Sequence, residues 1–247
     1  MVDFSIVTAV KNSDQTILRT IKSVAKQNFK KYEHVVVCHF KDIRSRKILK
    51  NINKKKINLI ISKDNSLYEA MNIGIKNSKG SFITFLNADD VFKDKKVLEN
   101  VKKNIINFPS SDSFYGDIEI VKNKQIYRTW ISGEFSINKF FWGWHPPHPS
   151  LFIKRKIFNK YGYFDLNFHI AADYELMIRY FIVNKISSKY IKSIFVKMAH
   201  GGLSSKNIRA IFSSNFESQL AWKKNGYNLQ FYIFFIKPLL KIIQFLR

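Results

Sequence analysis

Two alternating hydrophobic patterns over about the first hundred residues constrain the fold of this chain most strongly. Continuous apolar runs, typical of strands buried on both faces, lie at residues 4–10, 32–38, 57–62 and 81–86. Three other segments carry apolar residues three or four positions apart, which is typical of amphipathic helices. Strands that alternate with helices predict a mostly parallel sheet covered on both faces. In such a sheet, ligands bind outside the carboxyl ends of the strands.

The predicted helices of this half have recognisable starts. Ser13 and Asp14 are residue types that cap helix N-termini, and apolar residues follow them at helical spacing. Two further amphipathic segments begin near Leu67 and Val97. The first half of the chain therefore has the strand and helix order of an α/β domain.

The second half of the sequence is less regular. Residues 113–130 predict a β-hairpin with a polar tip at 122–124. Residues 142–150 contain three prolines, which exclude helix and predict a rigid loop. A helix is predicted over 171–182, with Leu176, Met177 and Tyr180 on one face, and a glycine-containing turn follows at 200–207.

The C-terminal segment, residues 229–247, is apolar nearly all round and is interrupted by Lys237, Pro238 and Lys241. A membrane-spanning helix needs roughly 20 largely apolar residues, so this segment is marginal for crossing a bilayer. Its basic and aromatic composition predicts a helix that lies in the membrane interface. The alternative is a helix docked on the core or on another subunit.

The charge of the chain indicates a polyanionic partner. There are 42 Lys and Arg residues against 18 Asp and Glu, a formal net charge of +24. Nucleic acid, anionic lipid and a phosphate-bearing substrate all fit such a charge, and a general compositional bias is the alternative. A basic cluster at 41–56 fits the same partners or a solvated helix face. Most phenylalanines lie in apolar runs, so base stacking on nucleic acid is the less favoured interpretation.

Several classes of protein are excluded by what the sequence lacks. The single cysteine, Cys38, excludes a disulfide framework and a cysteine-based zinc site, and it fits a reducing compartment. The sequence contains no Walker-type phosphate loop, no glycine-rich dinucleotide motif after the first strand and no HExxH zinc motif.

Two adjacent acids, Asp89 and Asp90, follow the apolar run that ends at Leu86. Neighbouring carboxylates repel each other, and a divalent cation offsets that repulsion. Mg²⁺ and Mn²⁺ prefer carboxylate oxygens and usually keep substrate phosphates as ligands. Because Asn and Asp are also common turn formers, the spacing leaves a metal site and a simple turn equally open.

Four more polar residues are candidates for chemistry. Asp173 opens a predicted helix, where it is either an N-cap or a general base. His145 and His148 lie among the prolines of the rigid loop and could be ligands or packed polar groups. His200, before two glycines, could reach a metal or a phosphate.

These pieces occur together, in this order, in one family. The chain resembles the family-2 glycosyltransferases, in particular the bacterial branch that builds cell-surface polysaccharides. The resemblance covers most of residues 3–207, and the matching segments are 4–12, 32–37, 64–90, 146–181 and 201–207. It implies a GT-A fold, which is Rossmann-like with a mostly parallel central sheet and flanking helices.

The resemblance also implies a domain division. One domain would cover 1–228, with a nucleotide-sugar-binding half at about 1–110 and an acceptor-binding half at 111–228. The C-terminal helix, 229–247, would follow it.

The family pattern assigns the metal and the base. Asp89 falls at the family's metal-binding acidic motif as the chief ligand of Mn²⁺ or Mg²⁺, with Asp90 in support and His200 at the metal or the diphosphate. Asn87 replaces the first acid of that motif. Asp173 matches the catalytic base, and Glu175 is the less favoured base.

The resemblance further implies a set of substrate contacts. The expected residues are Thr8, Val10, Asn12, Cys38, Asp64, Asn72, Asn87, His145, His148, Glu175, Gly202 and Ser204. Cys38 is a departure, because it stands where the family has an acid that recognises the base. Asp42 or Asp64 could supply that recognition instead.

The implied activity is inverting transfer of a hexosyl or N-acetylhexosaminyl group from a nucleotide-diphospho sugar, with UDP as the expected nucleotide. The implied acceptor is a growing glycan of a capsule or lipopolysaccharide. The C-terminal segment and the charge predict that this acceptor is lipid-linked, which would place the protein on the cytoplasmic face of the membrane, alone or as an oligomer. Alternatives are a nucleic-acid-binding protein, a catalytically degenerate partner subunit and a sugar nucleotidyltransferase. The last is disfavoured because the loop after the first strand lacks glycine.

Overall fold

The computed structural model describes residues 2–52, 57–201 and 208–228, and it confirms the predicted α/β fold. The strands are β1 (Phe4–Val10), β2 (Tyr32–His39), β3 (Asn58–Ser62), β4 (Phe82–Phe85), β5 (Val91–Phe92), β6 (Ser113–Lys122), β7 (Gln125–Trp130), β8 (Phe152–Lys154) and β9 (Ser188–Ala199). The helices are α1 (Ile17–Ala25), α2 (Ile43–Lys50), α3 (Leu67–Lys76), α4 (Val97–Asn107), α5 (Ile137–Phe141), α6 (Arg155–Tyr161), α7 (Ala172–Met177) and α8 (Ile208–Lys224).

The strands of the described ranges form one sheet in the order β3-β2-β1-β4-β8-β6-β9-β5, with β7 paired to β6. The first four strands in that order are parallel to one another. Strand β8 runs antiparallel to both β4 and β6, so β6 and its parallel neighbour β9 point the same way as β4. The carboxyl ends of β1, β2, β3, β4, β6 and β9 therefore lie toward the same edge of the sheet.

Apolar clusters cover both faces of the parallel strands. Alternate residues of a strand point to opposite faces, so Val7 belongs to one cluster and Phe4 to another. Helix α3 lies especially close to β1, because a Cβ at Gly74 would collide with the Val7 side chain. The helix adds Met71 to the first cluster, and α4 adds Leu98 to the second.

The predicted hairpin is confirmed. Strands β6 and β7 pair antiparallel, and the turn residues Asn123 and Lys124 have φ angles of 51° and 65°. Two consecutive residues with positive φ are typical of a two-residue hairpin turn whose twist matches the strands. In the proline-rich loop, regular structure is limited to a short 3-10 turn at His148–Ser150.

Two local expectations were wrong. Helix α1 is capped at Thr16 without a side-chain hydrogen bond, and Ser13 contributes only its carbonyl oxygen, which accepts from the Thr16 and Ile17 amides. The third strand is not buried on both faces. Strand β3 lies at the edge of the sheet, and its residues are half-buried or exposed.

The predicted helix at 171–182 is present as α7, which continues in a π-helical stretch at Ile178–Val183. Its predicted inward face is buried, with Leu176 at 1% and Met177 and Tyr180 at 0% exposure. Helix α8 packs against it through Trp222, whose indole N–H donates to the Tyr174 hydroxyl at 2.9 Å. Neither α8 nor β9 was predicted from the sequence.

None of the helices within residues 2–52, 57–201 and 208–228 has the length and apolarity needed to span a membrane. The predicted interface helix at 229–247 lies outside the described residues, as do the predicted contacts of Gly202 and Ser204.

Candidate active site

The two adjacent acids lie in a turn directly after β4. The amide of Asp90 donates to the Asn87 carbonyl at 3.0 Å, which closes the turn. The Thr20 hydroxyl, on α1, lies 3.0 Å from the Ala88 carbonyl oxygen and 2.7 Å from that of Asp90. Helix α1 therefore holds the turn at the carboxyl edge of the sheet.

The two acids have different environments. Asp90 is 1% exposed, and its carboxylate accepts from the Ala199 amide at 2.9 Å and from the Asn87 side-chain amide at 3.0 Å. Burial, and secondarily the neighbouring Asp89 carboxylate, raise the pKa of Asp90 to about 7. Asp89 is exposed, and its carbonyl oxygen accepts from the Arg19 guanidinium at 2.7 Å. Asp90 therefore ties the turn to the end of β9, while the Asp89 side chain faces solvent.

Asp173 is the second residue of α7, and Ala171 is the N-cap, so a simple capping role is excluded. Its half-buried carboxylate accepts from the Tyr68 hydroxyl at 3.2 Å and from the Tyr174 amide at 2.9 Å. Burial and the Asp173 charge raise the pKa of Tyr68 well above its ordinary value, so Tyr68 stays a neutral donor.

His148 links the region of Asp173 to the end of β4. Its ring stacks on Phe85 with centroids 5.1 Å apart, and it meets Phe164 edge-on at 5.7 Å. Burial lowers the pKa of His148, and the charge of Asp173 opposes that shift. His148 is therefore a neutral imidazole, 9% exposed, that packs between aromatic rings. Its ring is buried, whereas the family resemblance predicts a direct substrate contact.

His145 lies closer to the surface. Its Nδ1 is 2.9 Å from the Pro146 carbonyl oxygen, and its half-buried ring meets Trp130 and Tyr174 edge-on at 5.3 and 5.2 Å. Because Tyr174 follows Asp173, this aromatic group borders the site on the side of α7.

Two expected nucleotide contacts are buried in the core instead. Thr8 is 0% exposed, and its hydroxyl lies 2.9 Å from Nε2 of His34, an imidazole whose pKa burial lowers to about 3. Cys38 is also 0% exposed and packs in an apolar cluster with Val10. Burial raises the pKa of Cys38 to about 12, so the thiol stays protonated. Neither side chain is positioned to contact a nucleotide.

The acids that could replace the missing base-reading acid lie near Cys38. Asp42 accepts from the Asn12 amide at 2.7 Å and caps α2 through the Ser45 amide at 3.1 Å. Burial opposes ionisation of Asp42, but these hydrogen bonds lower its pKa below the ordinary value. Asp64 is buried and accepts from the Ser62 hydroxyl. Asn12 is exposed in a left-handed conformation with φ of 53°.

Two other expected substrate contacts have structural roles. Asn72 bridges α3 to the loop before α7, since its amide group donates to the Phe164 carbonyl at 2.9 Å and accepts from the Phe164 amide at 3.0 Å. Glu175 is 0% exposed and forms a two-bond ion pair with Arg179 at 3.0 and 2.9 Å. Its carboxylate is therefore inaccessible to a substrate or to an acceptor hydroxyl.

Comparison with known proteins settles the family. The family model described as glycosyl transferase family 2 matches residues 5–165, well over half of the chain.

The chain belongs to glycosyl transferase family 2.

Among curated relatives, a PGL/p-HBAD biosynthesis glycosyltransferase of Mycobacterium bovis is 28% identical over 142 residues, which cover 57% of this chain and 54% of the relative. An uncharacterised glycosyltransferase of Rickettsia prowazekii is 27% identical over 192 residues, covering 74% and 59% of the two chains. The chain therefore spans somewhat more than half the length of these relatives.

Solved structures share the fold. The structure of S. aureus TarS superposes with a TM-score of 0.71 over 90% of this chain and 39% of TarS, at 18% identity. A fragment of TarS in complex with UDP-GlcNAc gives a TM-score of 0.67 over 80% of this chain and 58% of the fragment, at 20% identity. At these identities the likeness supports the GT-A fold.

Members of glycosyl transferase family 2 generally use a divalent cation, and the acids after β4 are the candidate ligands for it. The described ranges contain no group of three or more His, Cys, Asp or Glu side chains arranged to hold a metal. Both oxygens of Asp90 are already engaged, and the ring of His200 lies against Tyr127 at 4.7 Å. The expected three-residue set is therefore not assembled. The exposed Asp89 carboxylate still fits Mg²⁺ or Mn²⁺, which are commonly bound by one or two carboxylates together with substrate phosphates.

Two residues of the site escaped the sequence analysis. Tyr68 was not singled out by the helical pattern of α3, yet its hydroxyl reaches Asp173. Glu217, on α8, accepts three backbone amides just before α7. It lies outside every segment that carried the family resemblance, so no pattern in the sequence marks it.

Proposed function

We propose that the protein is an inverting glycosyltransferase that moves a sugar from a UDP-linked donor to a hydroxyl of a lipid-linked surface glycan. The observation that carries this proposal is the placement of two acids around the end of β4. Asp89 is exposed directly after that strand, and Asp173 lies beside His148, which stacks on Phe85 at the strand's last position.

Asp173 is the residue proposed to act as the general base. Its carboxylate takes the proton of the acceptor hydroxyl while that oxygen bonds to the anomeric carbon of the donor sugar. The bond between the anomeric carbon and the diphosphate oxygen breaks on the opposite face, so the configuration inverts. Tyr68 and the Tyr174 amide fix the orientation of the carboxylate before the acceptor arrives.

Asp89 is the residue proposed to hold the divalent cation. When bound, the cation offsets the charge of the departing diphosphate. Asp90 acts indirectly: its hydrogen bond to the Ala199 amide joins the turn to β9 and so fixes the backbone position of Asp89.

The donor proposal rests on the fold shared with TarS, for which a complex with UDP-GlcNAc exists. With Cys38 buried and protonated, recognition of the uracil base falls to the acids near it. Asp42 and Asp64 are buried at the same edge of the sheet, and their charges act on the Cys38 thiol.

The acceptor side and the membrane are proposed together. Phe212, Phe216 and Leu220 are 71%, 61% and 41% exposed and recur every four residues along α8, so they share its outer face. Arg209 and Lys223 lie at the two ends of this stripe. An apolar stripe flanked by basic residues favours an anionic lipid surface. We therefore place the protein on the cytoplasmic face of the membrane, where α8 joins the apolar and basic segment 229–247.

A donor screen tests the activity. The full chain is heated with Mn²⁺ and UDP-GlcNAc, UDP-glucose or UDP-galactose, and UDP release is measured with alkyl glycoside acceptors. A true donor raises the melting temperature by mass action and is consumed, with an inverted anomeric centre in the product. Absence of both effects for every donor, together with salt-sensitive RNA binding, would replace this proposal with the nucleic-acid-binding alternative.

Vesicle sedimentation tests the membrane proposal. We expect the Phe212→Ser and Phe216→Ser double variant to bind vesicles of phosphatidylglycerol and phosphatidylcholine more weakly than the unmodified chain. Ile106→Ser is a matched control, because Ile106 is 65% exposed on α4, away from the stripe. Equal binding by all three proteins would exclude α8 as the membrane-contacting surface.

A further inference from the structure

Glu217 accepts three successive backbone N–H groups from the segment that precedes α7. Its Oε1 accepts from His169 at 3.1 Å, and its Oε2 accepts from Ile170 and Ala171, both at 2.8 Å. The first N–H groups of a helix have no partner within that helix. One carboxylate therefore satisfies the N–H of Ala171, the N-cap of α7, together with the two N–H groups before it, and its charge suits the positive end of the helix dipole.

The same segment is held from the opposite side by Tyr68. The Tyr68 hydroxyl donates to the Ile170 carbonyl at 2.7 Å and contacts Asp173 at 3.2 Å. The N–H of Ile170 therefore donates to Glu217, and its C=O accepts from Tyr68. Asp173 follows three residues later, so the backbone that carries it is fixed at both of its polar groups.

Helix α8 is itself anchored to the body of the protein, so Glu217 acts from a fixed support. Trp222 is 0% exposed and donates to Tyr174 at 2.9 Å. Lys224, the last residue of α8, forms an ion pair with Asp165, and the side-chain amide of the next residue, Asn225, donates to Glu175 at 3.3 Å. These contacts place the Glu217 carboxylate at a defined distance from the segment before α7.

Building on the proposed function, we propose that Glu217 is a positioning residue for sugar transfer, which holds residues 169–171 so that the Asp173 carboxylate meets the acceptor hydroxyl. A residue with this role affects turnover without affecting the donor site. The donor site is built from the ends of β1 to β4 and from α1, none of which contacts Glu217 through a hydrogen bond in the described ranges.

The test compares Glu217→Gln and Glu217→Ala with Gln219→Ala, a control on the same helix. All are made in the full chain. For the alanine variant we expect kcat to fall about 100-fold, within the range that misplacement of a catalytic group produces, while the Kd for UDP with Mn²⁺ is unchanged. The glutamine variant keeps one acceptor oxygen and should recover part of the lost kcat. Gln219→Ala should retain full turnover.

Amide hydrogen exchange provides a readout that needs no substrate. In Glu217→Ala, we expect faster exchange confined to peptides that contain residues 169–173, with unchanged exchange in β1 and β4. Unchanged exchange at 169–173 would overturn the proposal whether or not a donor is found. Equal loss of kcat and of UDP affinity would also overturn it, because that pattern indicates general destabilisation. A wild-type chain that turns over no donor contradicts the proposed function alone.

Discussion

The turn that carries Asp89 and the segment that carries Asp173, the two acids of the proposed site, are built in different ways. The first follows a buried strand and is closed by its own residues, with Thr20 and the Ala199 amide in support. The second follows a loop and depends on side chains far along the chain, namely Tyr68 and Glu217. The first therefore combines a local turn with distant supports, whereas both side chains that hold the second come from distant parts of the chain.

The largest expected effect distinguishes the chemistry of the two acids. Asp173→Asn removes the proposed base at nearly constant shape, and we expect kcat to fall about 10³-fold, because a general base contributes about 10²- to 10⁴-fold. UDP affinity in the presence of Mn²⁺ should be unchanged. Asp89→Ala should instead weaken that Mn²⁺-dependent UDP affinity. Steady-state kinetics and calorimetry with UDP separate the two results, and equal effects of both variants on UDP binding would contradict the division of roles.

The next effect compares how much the side-chain contacts beside each acid contribute to stability. Arg179→Met keeps the bulk of the side chain but leaves the buried Glu175 carboxylate without its cation, with the Asn225 side-chain amide still donating to it. Breaking a buried pair in this way costs about 3–5 kcal/mol of folding free energy. On the other side, Asn87→Ala removes one hydrogen bond to Asp90 and should cost about 1 kcal/mol. Urea unfolding of both variants measures the two costs, and similar costs would show that these contacts contribute equally to stability.

The smallest expected effect is the pH dependence of folding stability. It comes from two buried groups, Asp90 and His34, whose pKa values are shifted in opposite directions. The pKa of Asp90 is raised to about 7 in the folded state, so the folded chain binds more protons than the unfolded chain between about pH 4 and 7, and stability falls as pH rises there. The pKa of His34 is lowered to about 3, so the unfolded chain binds more protons below about pH 6.5, and stability falls as pH falls.

Single variants should separate these opposing slopes. Asp90→Asn removes the acid contribution, so the stability of that variant should rise with pH more steeply than that of the parent, by about 1.4 kcal/mol per pH unit between pH 4 and 6.5. His34→Gln should shift the slope by a similar amount in the opposite direction. Urea unfolding across this range, with EDTA present, measures both. Parallel curves for the parent and both variants would show that neither group titrates as described.

Much of the fold was predictable because its signals are local. The runs at 4–10, 32–38 and 81–86 are continuous and apolar, and they became β1, β2 and β4. The run at 57–62 has the same composition, yet β3 lies at the sheet edge, since nothing in the run states which strands flank it. Strand β9 was missed because it carries several lysines, most of its residues are only half-buried, and it pairs with β6, a partner some 75 residues earlier in the chain.

For the site, the family resemblance led to Asp89 and Asp173, whose roles stay predictions. The structure shows that Asp89 is exposed and Asp173 is half-buried. The resemblance gave no information on burial, so Thr8, Cys38 and Glu175 were expected at the substrate although they lie in the interior. Glu217 could not be predicted, because α8 itself was not predicted and a single glutamate acquires this role only from the backbone amides that it contacts in the folded protein.

The burial of Cys38 gives this chain a chemical probe of its own opening. The chain has one cysteine, its thiol is sealed under β1 and α1, and a protonated thiol does not react with alkylating reagents. Iodoacetamide can therefore modify the native protein only during openings that expose β2. The rate of alkylation at Cys38 therefore measures how often β2 becomes exposed, without any engineered label.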